Sequence, residues 1–155
     1  MITDDVTDPA WWAARVRACG GDLQRAQYIG TADAFSERHR DQMAQLRRAR
    51  IGPTDSVLDA GCGYGRLLTM MPAEWKGHYI GVDFCDEFVK IARVINPDKQ
   101  FMRADLTAIP LEPRLFDVAV CVWLKTMMEV NDKMDVWRVI EAELRRVAKR
   151  VVIID

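Results

Sequence analysis

The sequence predicts an α/β protein built on an open, doubly wound parallel sheet. From residue 53 onward, short apolar segments alternate with segments of helical periodicity, which is the pattern of strands joined by crossover helices. The first apolar segment runs into a glycine-rich turn at residues 61–65. Three aspartates follow predicted strands, at the edge where an open parallel sheet binds its ligand. These observations predict a binding site at the carboxyl ends of the strands.

Five strands and three helices are expected in this core. The fourth strand is a nearly continuous apolar run, as a central parallel strand should be. The helix over 86–95 carries apolar side chains on one face at helical spacing. The predicted strands are 56–59, 78–83, 100–103, 117–122 and 151–154, and the predicted helices are 66–71, 86–95 and 134–147.

The chain is expected to form a single domain, residues 1–155, with an N-terminal helical cap at 1–52 and the α/β core at 53–155. Asp8-Pro9 is typical of a helix start, with an N-cap followed by proline at the first helical position. It predicts a helix over residues 9–18, and the polar residues before it are expected to fray.

Several side chains of the cap are candidates for the site. Trp11, Trp12 and Tyr28 are either a lid over the ligand or the packing of the N-terminal helices onto the sheet. A helix is predicted over 33–50, and its dense charge is typical of a solvated face. His39 lies on that helix and is expected to be solvated rather than catalytic.

The composition argues against several classes of partner. The formal net charge is −1, so no basic excess indicates a nucleic-acid partner. No apolar run approaches a membrane span, and the N-terminus carries acids rather than the basic start of a signal peptide. The cysteines form no C-x-x-C pair, so no structural metal is expected, and free thiols are predicted in a cytoplasmic protein. They are Cys19, Cys62, Cys85 and Cys121.

The glycine turn and the acid before it form the most specific motif. Residues 59–65 read D-A-G-C-G-Y-G. A dinucleotide fingerprint needs G-x-G-x-x-G, but Arg66 stands at the third glycine position, which disfavours a nicotinamide oxidoreductase. Asp83 follows Asp59 by 24 residues, about where an acid binds ribose hydroxyls in nucleotide-binding α/β proteins. Asp105 follows the third strand, so the three acids are expected in register.

The pattern D-x-G-x-G-x-G resembles the first motif of the class I S-adenosylmethionine-dependent methyltransferases. The resemblance covers residues 57–155 and is strongest to the small-molecule subgroup, whose fourth strand reads like F-D-V-A-V-C at 116–121. It implies S-adenosylmethionine as the cofactor and the strand order 3-2-1-4-5. For the methionine end of the cofactor, it implies that Asp59 supports the ammonium group. The backbone around that end would come from Gly61, Cys62, Gly63, Gly65 and Cys121.

For the nucleoside end, the resemblance implies four further residues. Asp83 would accept from the ribose hydroxyls, and Phe84 would cover the adenine. Asp105 would accept from the adenine amino group, with the Leu106 amide beside it.

The predicted function is methyl transfer to a small-molecule acceptor. No Asn/Asp-Pro-Pro-aromatic run and no Pro-Cys pair follows the fourth strand, so methylation of a nucleic-acid base is not expected. Residues 123–128, beginning at Trp123, read W-L-K-T-M-M where family members commonly carry an acidic or histidine-containing stretch. No catalytic residue is therefore assigned. The alternative is a non-catalytic S-adenosylmethionine-binding subunit that acts with a partner.

The sequence stops after the fifth strand, so the sixth and seventh strands of the family are expected to be absent. The run V-V-I-I at 151–154 would then form a sheet edge with unpaired backbone groups. This edge is expected to pair with a second copy of the chain or with another protein.

Overall fold

The computed structural model describes residues 5–27 and 32–155, and its centre is a five-stranded parallel sheet. The strands are β1 (Val57–Ala60), β2 (Tyr79–Asp83), β3 (Gln100–Arg103), β4 (Phe116–Val122) and β5 (Ala148–Ile154). The helices are α1 (Pro9–Ala18), α2 (Leu23–Gln27), α3 (Ala32–Arg48), α4 (Asp86–Ile95), α5 (Leu124–Val130) and α6 (Met134–Val147). The strands lie in the order β3-β2-β1-β4-β5, so the predicted fold class and topology are confirmed.

The central strands are buried on both faces, and alternate residues enter different cores. Leu58 and Ala119 pack in a core that includes Trp137 of α6. Their neighbours Val57 and Val118 pack in the other core, with residues of α3 and α4. This alternation with period two is what a parallel strand between two helical layers requires.

The register brings the predicted acids to one edge of the sheet. Asp59 lies opposite Gly81 in β2, and Asp83 lies opposite Arg103 in β3. Because the strands are parallel, the chain leaves β1, β2, β3 and β4 at the same edge. The segments that follow these strands therefore meet there.

Two elements around this edge differ from the sequence prediction. The segment after the glycine turn is a single 3₁₀ turn, Arg66–Thr69, and not a helix to residue 71. The helix α5 was not predicted, because it follows β4 after one residue with no glycine or proline between them. That residue, Trp123, has a φ of 66°, in the left-handed region, and this turns the chain from strand into helix.

The N-terminal helices pack on the core as separate elements. The predicted start of α1 is confirmed, since the Asp8 side chain accepts a hydrogen bond from the Ala10 amide at 2.8 Å. The expected fraying is wrong for Val6, which is only 4% exposed and lies in the main core. Gln45 of α3 binds the backbone of Asp155 twice, donating to its carbonyl at 2.6 Å and accepting from its amide at 3.2 Å.

Within residues 5–27 and 32–155, no helix has both the length and the apolar character needed to cross a bilayer. Pairing at the β5 edge and a cytoplasmic location stay predictions.

Candidate functional site

A cavity opens at the carboxyl ends of the strands, and three surfaces enclose it. The sheet wall comes from the glycine turn and the segments after β2 and β3: Gly61, Gly63, Asp83, Phe84, Asp105 and Leu106. The helical wall comes from α1, α2 and α3: Trp12, Gln27, Arg38 and Gln42. The floor comes from α5 and α6: Met127, Met128, Val136 and Ile140. The structure thus brings six of the ten predicted site residues to one cavity.

The glycine turn is clamped to β2 by its own backbone amides. The amides of Gly61 and Cys62 both donate to the Val82 carbonyl, at 2.9 and 3.0 Å, and the Gly63 amide donates to Asp83 at 2.8 Å. These three amides therefore have acceptors within the chain. What the turn presents to the cavity is backbone without side chains. A Cβ at Gly63, whose φ is 53°, would collide with the amide group of Gln27.

Gly65, the last glycine of the motif, does not line the cavity. Its φ is 89°, and it begins the 3₁₀ turn. A Cβ there would lie 3.0 Å from Asn96 Nδ2 and 3.1 Å from Phe101 Cζ. The packing of the turn against α4 and β3 therefore accounts for this glycine.

Asp83 is the most constrained acid of the sheet wall. It is 6% exposed, and its carboxylate accepts from the Gly63 amide at 2.8 Å and from the Cys85 amide at 2.9 Å. Burial raises the pKa of Asp83 to about 6, while these amide hydrogen bonds act in the opposite direction. At neutral pH the group is mostly ionised, so the cavity carries a fixed acceptor at the end of β2.

Asp105 is an exposed acid at the other end of the sheet wall. Its Oδ1 accepts from the amide and the hydroxyl of Thr107, both at 2.8 Å, which holds the side chain in one orientation. Phe84 and Leu106 line the same wall, each next in sequence to one of the two acids. The sheet wall therefore combines two carboxylates with apolar surface.

Asp59 lies behind the sheet wall rather than on it. It is 2% exposed and accepts a hydrogen bond from the Tyr79 hydroxyl at 2.7 Å. Burial raises the pKa of Asp59 to about 7, although the Tyr79 hydrogen bond and the charge of Arg66 act in the opposite direction. Cys62 and Cys121 are also buried and do not line the cavity.

The two tryptophans of α1 were predicted either to cover the ligand or to pack the N-terminal helices onto the sheet, and they differ in this respect. Trp12 lines the cavity and also packs, because its Nε1 donates to the Val6 carbonyl at 2.9 Å and its ring lies 6.1 Å from that of Phe88. Trp11 lies beside Trp12 in an edge-to-face contact but does not line the cavity. Tyr28 lies outside the described residues.

Arg66 links the 3₁₀ turn to α3 above the cavity. It donates to His39 Nδ1 at 3.0 Å and to Gln42 Oε1 at 2.8 Å. Burial and the Arg66 charge lower the pKa of His39, and its ring stacks on Phe35. The prediction of a solvated His39 is therefore wrong, since this histidine is half-buried against Arg66.

Sequence reasoning missed two residues of the helical wall. Arg38 and Gln42 line the cavity, although the dense charge of this helix predicts a solvated face. Together with Phe35 they occupy positions i, i+3 and i+7 of α3, which is the spacing of one helical face. That spacing was the available signal, and the charge of the segment concealed it.

The family model described as "Methyltransferase domain" matches residues 57–150. This match covers well over half of the chain, from β1 into β5. It also contains every residue of the sheet wall.

Individual relatives agree with this match. A trans-aconitate 2-methyltransferase of Rhizobium rhizogenes is 33% identical over 112 residues, which cover 70% of this chain and 43% of that protein. The chain therefore spans less than half the length of this curated relative.

Solved structures share the fold at lower identity. A phosphoethanolamine N-methyltransferase 1 of Haemonchus contortus, in complex with phosphoethanolamine and S-adenosylhomocysteine, aligns with a TM-score of 0.59 at 15% identity, over 90% of this chain and 30% of that one. A chain from the complex between the Haloferax volcanii Trm112 methyltransferase activator and a methyltransferase aligns with a TM-score of 0.59 at 20% identity, over 96% of this chain and 56% of that one.

Proposed function

Because the chain belongs to the methyltransferase domain family, we propose that it binds S-adenosylmethionine in the cavity and transfers the methyl group to a small-molecule acceptor. The observation that carries this proposal is the overlap of the family match, residues 57–150, with the entire sheet wall. The fold provides the cavity, and the residues of the sheet wall provide hydrogen-bond acceptors for the cofactor.

The cavity fits the groups of this cofactor. Gly61 and Gly63 line the cavity without a side chain of their own, and the amide group of Gln27 lies against Gly63. Asp83 and Asp105 present acceptors for ribose hydroxyls and for an adenine amino group. Gln27 has a buried Oε1 with no hydrogen-bond partner among the described residues. A donor from a bound ligand would satisfy that atom.

We propose for the residues the roles that the family resemblance implies. Asp83 would accept from the ribose hydroxyls, Phe84 would cover the adenine, and Asp105 would accept from its amino group beside the Leu106 amide. Asp59 would favour a positively charged ligand group through its charge, from behind the turn.

S-adenosylmethionine supplies, when bound, a methyl group activated by a sulfonium. The chain then has to bind the cofactor, hold the acceptor in line with the methyl–sulfur bond, and exclude water. The apolar floor and Trp12 suit the last task, because they line the cavity with apolar surface. No side chain is assigned as a general base, which such a transfer needs only when the acceptor atom is protonated.

The relative of Rhizobium rhizogenes is named for trans-aconitate, a small carboxylic acid. We therefore propose small carboxylic acids as the first acceptors to test.

The test combines binding and turnover by the chain itself. Calorimetry should show micromolar binding of S-adenosylmethionine and S-adenosylhomocysteine, which is about 8 kcal/mol. Release of S-adenosylhomocysteine should then appear with a subset of a panel of small acids, amines and phenols. A chain that binds NAD and neither of the two sulfur ligands would contradict the proposal.

A different outcome would favour the predicted alternative. Tight binding of S-adenosylmethionine without turnover of any acceptor would indicate a cofactor-binding subunit that acts with a partner. The binding step and the turnover step therefore test separate parts of the proposal.

A further inference from the structure

Two side chains of α3 present hydrogen-bond donors to the cavity from its helical wall. Arg38 and Gln42 are four residues apart, so they lie on the same face of the helix. Both line the cavity, as do the carboxylates of the sheet wall. The cavity lining therefore combines donors on α3 with acceptors on the sheet wall.

Gln42 is the more deeply buried of the two, at 1% exposure. Its Oε1 accepts from Arg66 Nη2 at 2.8 Å. Because a guanidinium can only donate, this contact identifies the oxygen of the amide and leaves Nε2 as the other atom. That Nε2 is buried and has no hydrogen-bond partner within residues 5–27 and 32–155. A buried donor without an acceptor destabilises the chain unless a ligand supplies the acceptor.

Arg38 adds a positive charge beside this amide. Its guanidinium lies over the Trp123 ring, 5.2 Å from the ring centroid, and its Nε is buried without a hydrogen-bond partner in the described part of the chain. No described carboxylate lies within ion-pair distance of Arg38 or of Arg66. The hydrogen-bond partners of Arg66, His39 and Gln42, are neutral. Among the described residues, neither guanidinium is therefore in an ion pair with a carboxylate.

From this geometry we infer that Arg38 and Gln42 form a subsite for a carboxylate group of a bound small molecule. The inference rests on the proposed function for the identity of the ligands. A carboxylate has two acceptor oxygens in one plane, so it can take one hydrogen bond from Arg38 Nε and another from Gln42 Nε2. Two molecules of the proposed reaction could supply it, namely the acceptor and the amino-acid end of the cofactor.

The subsite can be removed by two variants that preserve the surrounding packing. Arg38→Met keeps an unbranched stem against Trp123 but removes the guanidinium. Gln42→Glu keeps the oxygen that accepts from Arg66 but replaces the donor with a second, negatively charged acceptor. Arg47→Met is the matched control, because Arg47 lies on the same helix and is exposed.

Two pairs of ligands distinguish the two sources of the carboxylate. S-adenosylhomocysteine carries the amino-acid end, and 5′-methylthioadenosine lacks it. Trans-aconitate, added to the chain saturated with S-adenosylhomocysteine, carries free carboxylates, and its trimethyl ester does not. Isothermal calorimetry gives the Kd of each, and thermal unfolding without ligand gives the Tm.

We expect both α3 variants to raise the Kd of one of the two carboxylate ligands by roughly tenfold to a hundredfold. Its uncharged analogue and the Arg47→Met control should show the native Kd. A loss of affinity for S-adenosylhomocysteine assigns the subsite to the cofactor, and a loss of affinity for trans-aconitate assigns it to the acceptor. Since Arg38→Met removes a buried donor without a partner, its Tm should be no lower than that of the native chain.

The inference is refuted if the native chain binds the carboxylate ligands and both α3 variants bind them unchanged. It is also refuted if no carboxylate ligand binds the native chain better than its uncharged analogue. Failure of the proposed function has a different signature, because the native chain would then bind neither S-adenosylhomocysteine nor 5′-methylthioadenosine.

Discussion

The sheet wall and the helical wall of the cavity differ in chemistry and in the way the chain holds them. The sheet wall presents the acceptors Asp83 and Asp105, whose carboxylates are held by amides of the segments that carry them. The helical wall presents the donors Arg38 and Gln42, which are held by a helix that packs on the core from outside. Acceptors suit the hydroxyls and amino group of a nucleoside, and donors suit an anionic group.

This difference predicts how substitutions in each wall should affect ligand binding and the stability of the fold. A residue of the sheet wall holds both the ligand and the turn, so its loss should affect binding and local structure together. Arg38 and Gln42 of the helical wall each have a donor without a partner among the described residues, so the loss of that donor should affect binding more than stability. The predictions below test this contrast.

The largest effect is expected at Asp83. Asp83→Ala should raise the Kd of S-adenosylhomocysteine by at least roughly a hundredfold, since two charge-assisted hydrogen bonds contribute about 3 kcal/mol together. It should also lower the Tm, because the Gly63 and Cys85 amides lose their acceptor. Calorimetry and thermal unfolding measure the two effects. Glu141→Ala, which removes only a surface pair with Arg145 on α6, is the control and should keep the native Kd.

The two glycines Gly63 and Gly65 separate ligand binding from packing. Both have positive φ, so alanine at either should destabilise the chain by about 2 kcal/mol. Gly63→Ala should also weaken the cofactor, because its Cβ would displace Gln27 at the cavity. Gly65→Ala would meet Asn96 and Phe101 away from the cavity, so its cofactor Kd should stay within a few-fold of native. Equal losses of affinity in the two variants would contradict the assignment of Gly65 to packing.

The sheet wall could be predicted from the sequence, and the helical wall could not. The glycine turn and the acids near the ends of β1, β2 and β3 belong to short local patterns, and the parallel register brings them together without further information. The family and the fold, predicted from the same residues, are confirmed.

Arg38 and His39 were misjudged because the orientation of α3 depends on contacts far along the chain. Gln45 binds Asp155, and Arg150 binds the Ala49 carbonyl. A charged helix alone does not reveal which of its faces such contacts turn inward. Asp59 illustrates a related limit, because its position in the motif predicts the strand end but not that Tyr79 covers it.

The buried acids predict a pH dependence of stability. Burial raises the pKa of Asp59 to about 7 and that of Asp83 to about 6, above the usual value of 3.8. The folded chain therefore retains protons that the unfolded chain has lost. The resulting stability is fully present below the usual value and is lost as the pH rises to about 7. Without ligand, the Tm should fall by roughly 10 °C between about pH 5 and about pH 8, since the two shifts amount to about 4 kcal/mol in this range.

Asp59→Asn tests which acid causes this dependence. The amide oxygen can still accept from Tyr79, but the side chain no longer titrates. The fall in Tm between the same two pH values should shrink by more than half, since Asp59 has the larger shift of pKa. Glu74→Gln, at an exposed loop position, should show the same fall in Tm between the two pH values as the native chain. If the fall in Tm is unchanged in Asp59→Asn, then Asp59 does not titrate in this pH range.

The smallest effect is expected where the helical wall is attached to the sheet. Gln45 joins α3 to the end of β5 through two hydrogen bonds with the Asp155 backbone. Gln45→Ala should destabilise the chain by about 1 kcal/mol and lower the Tm by a few degrees. Gln24→Ala, at an exposed position of α2, is the control and should leave the Tm unchanged. If α3 positions the donors of the helical wall, Gln45→Ala should also weaken the carboxylate ligand a few-fold while the Kd of its uncharged analogue stays native. An equal loss for both ligands would mean that Gln45 supports the whole cavity, and the two walls would then not be independent.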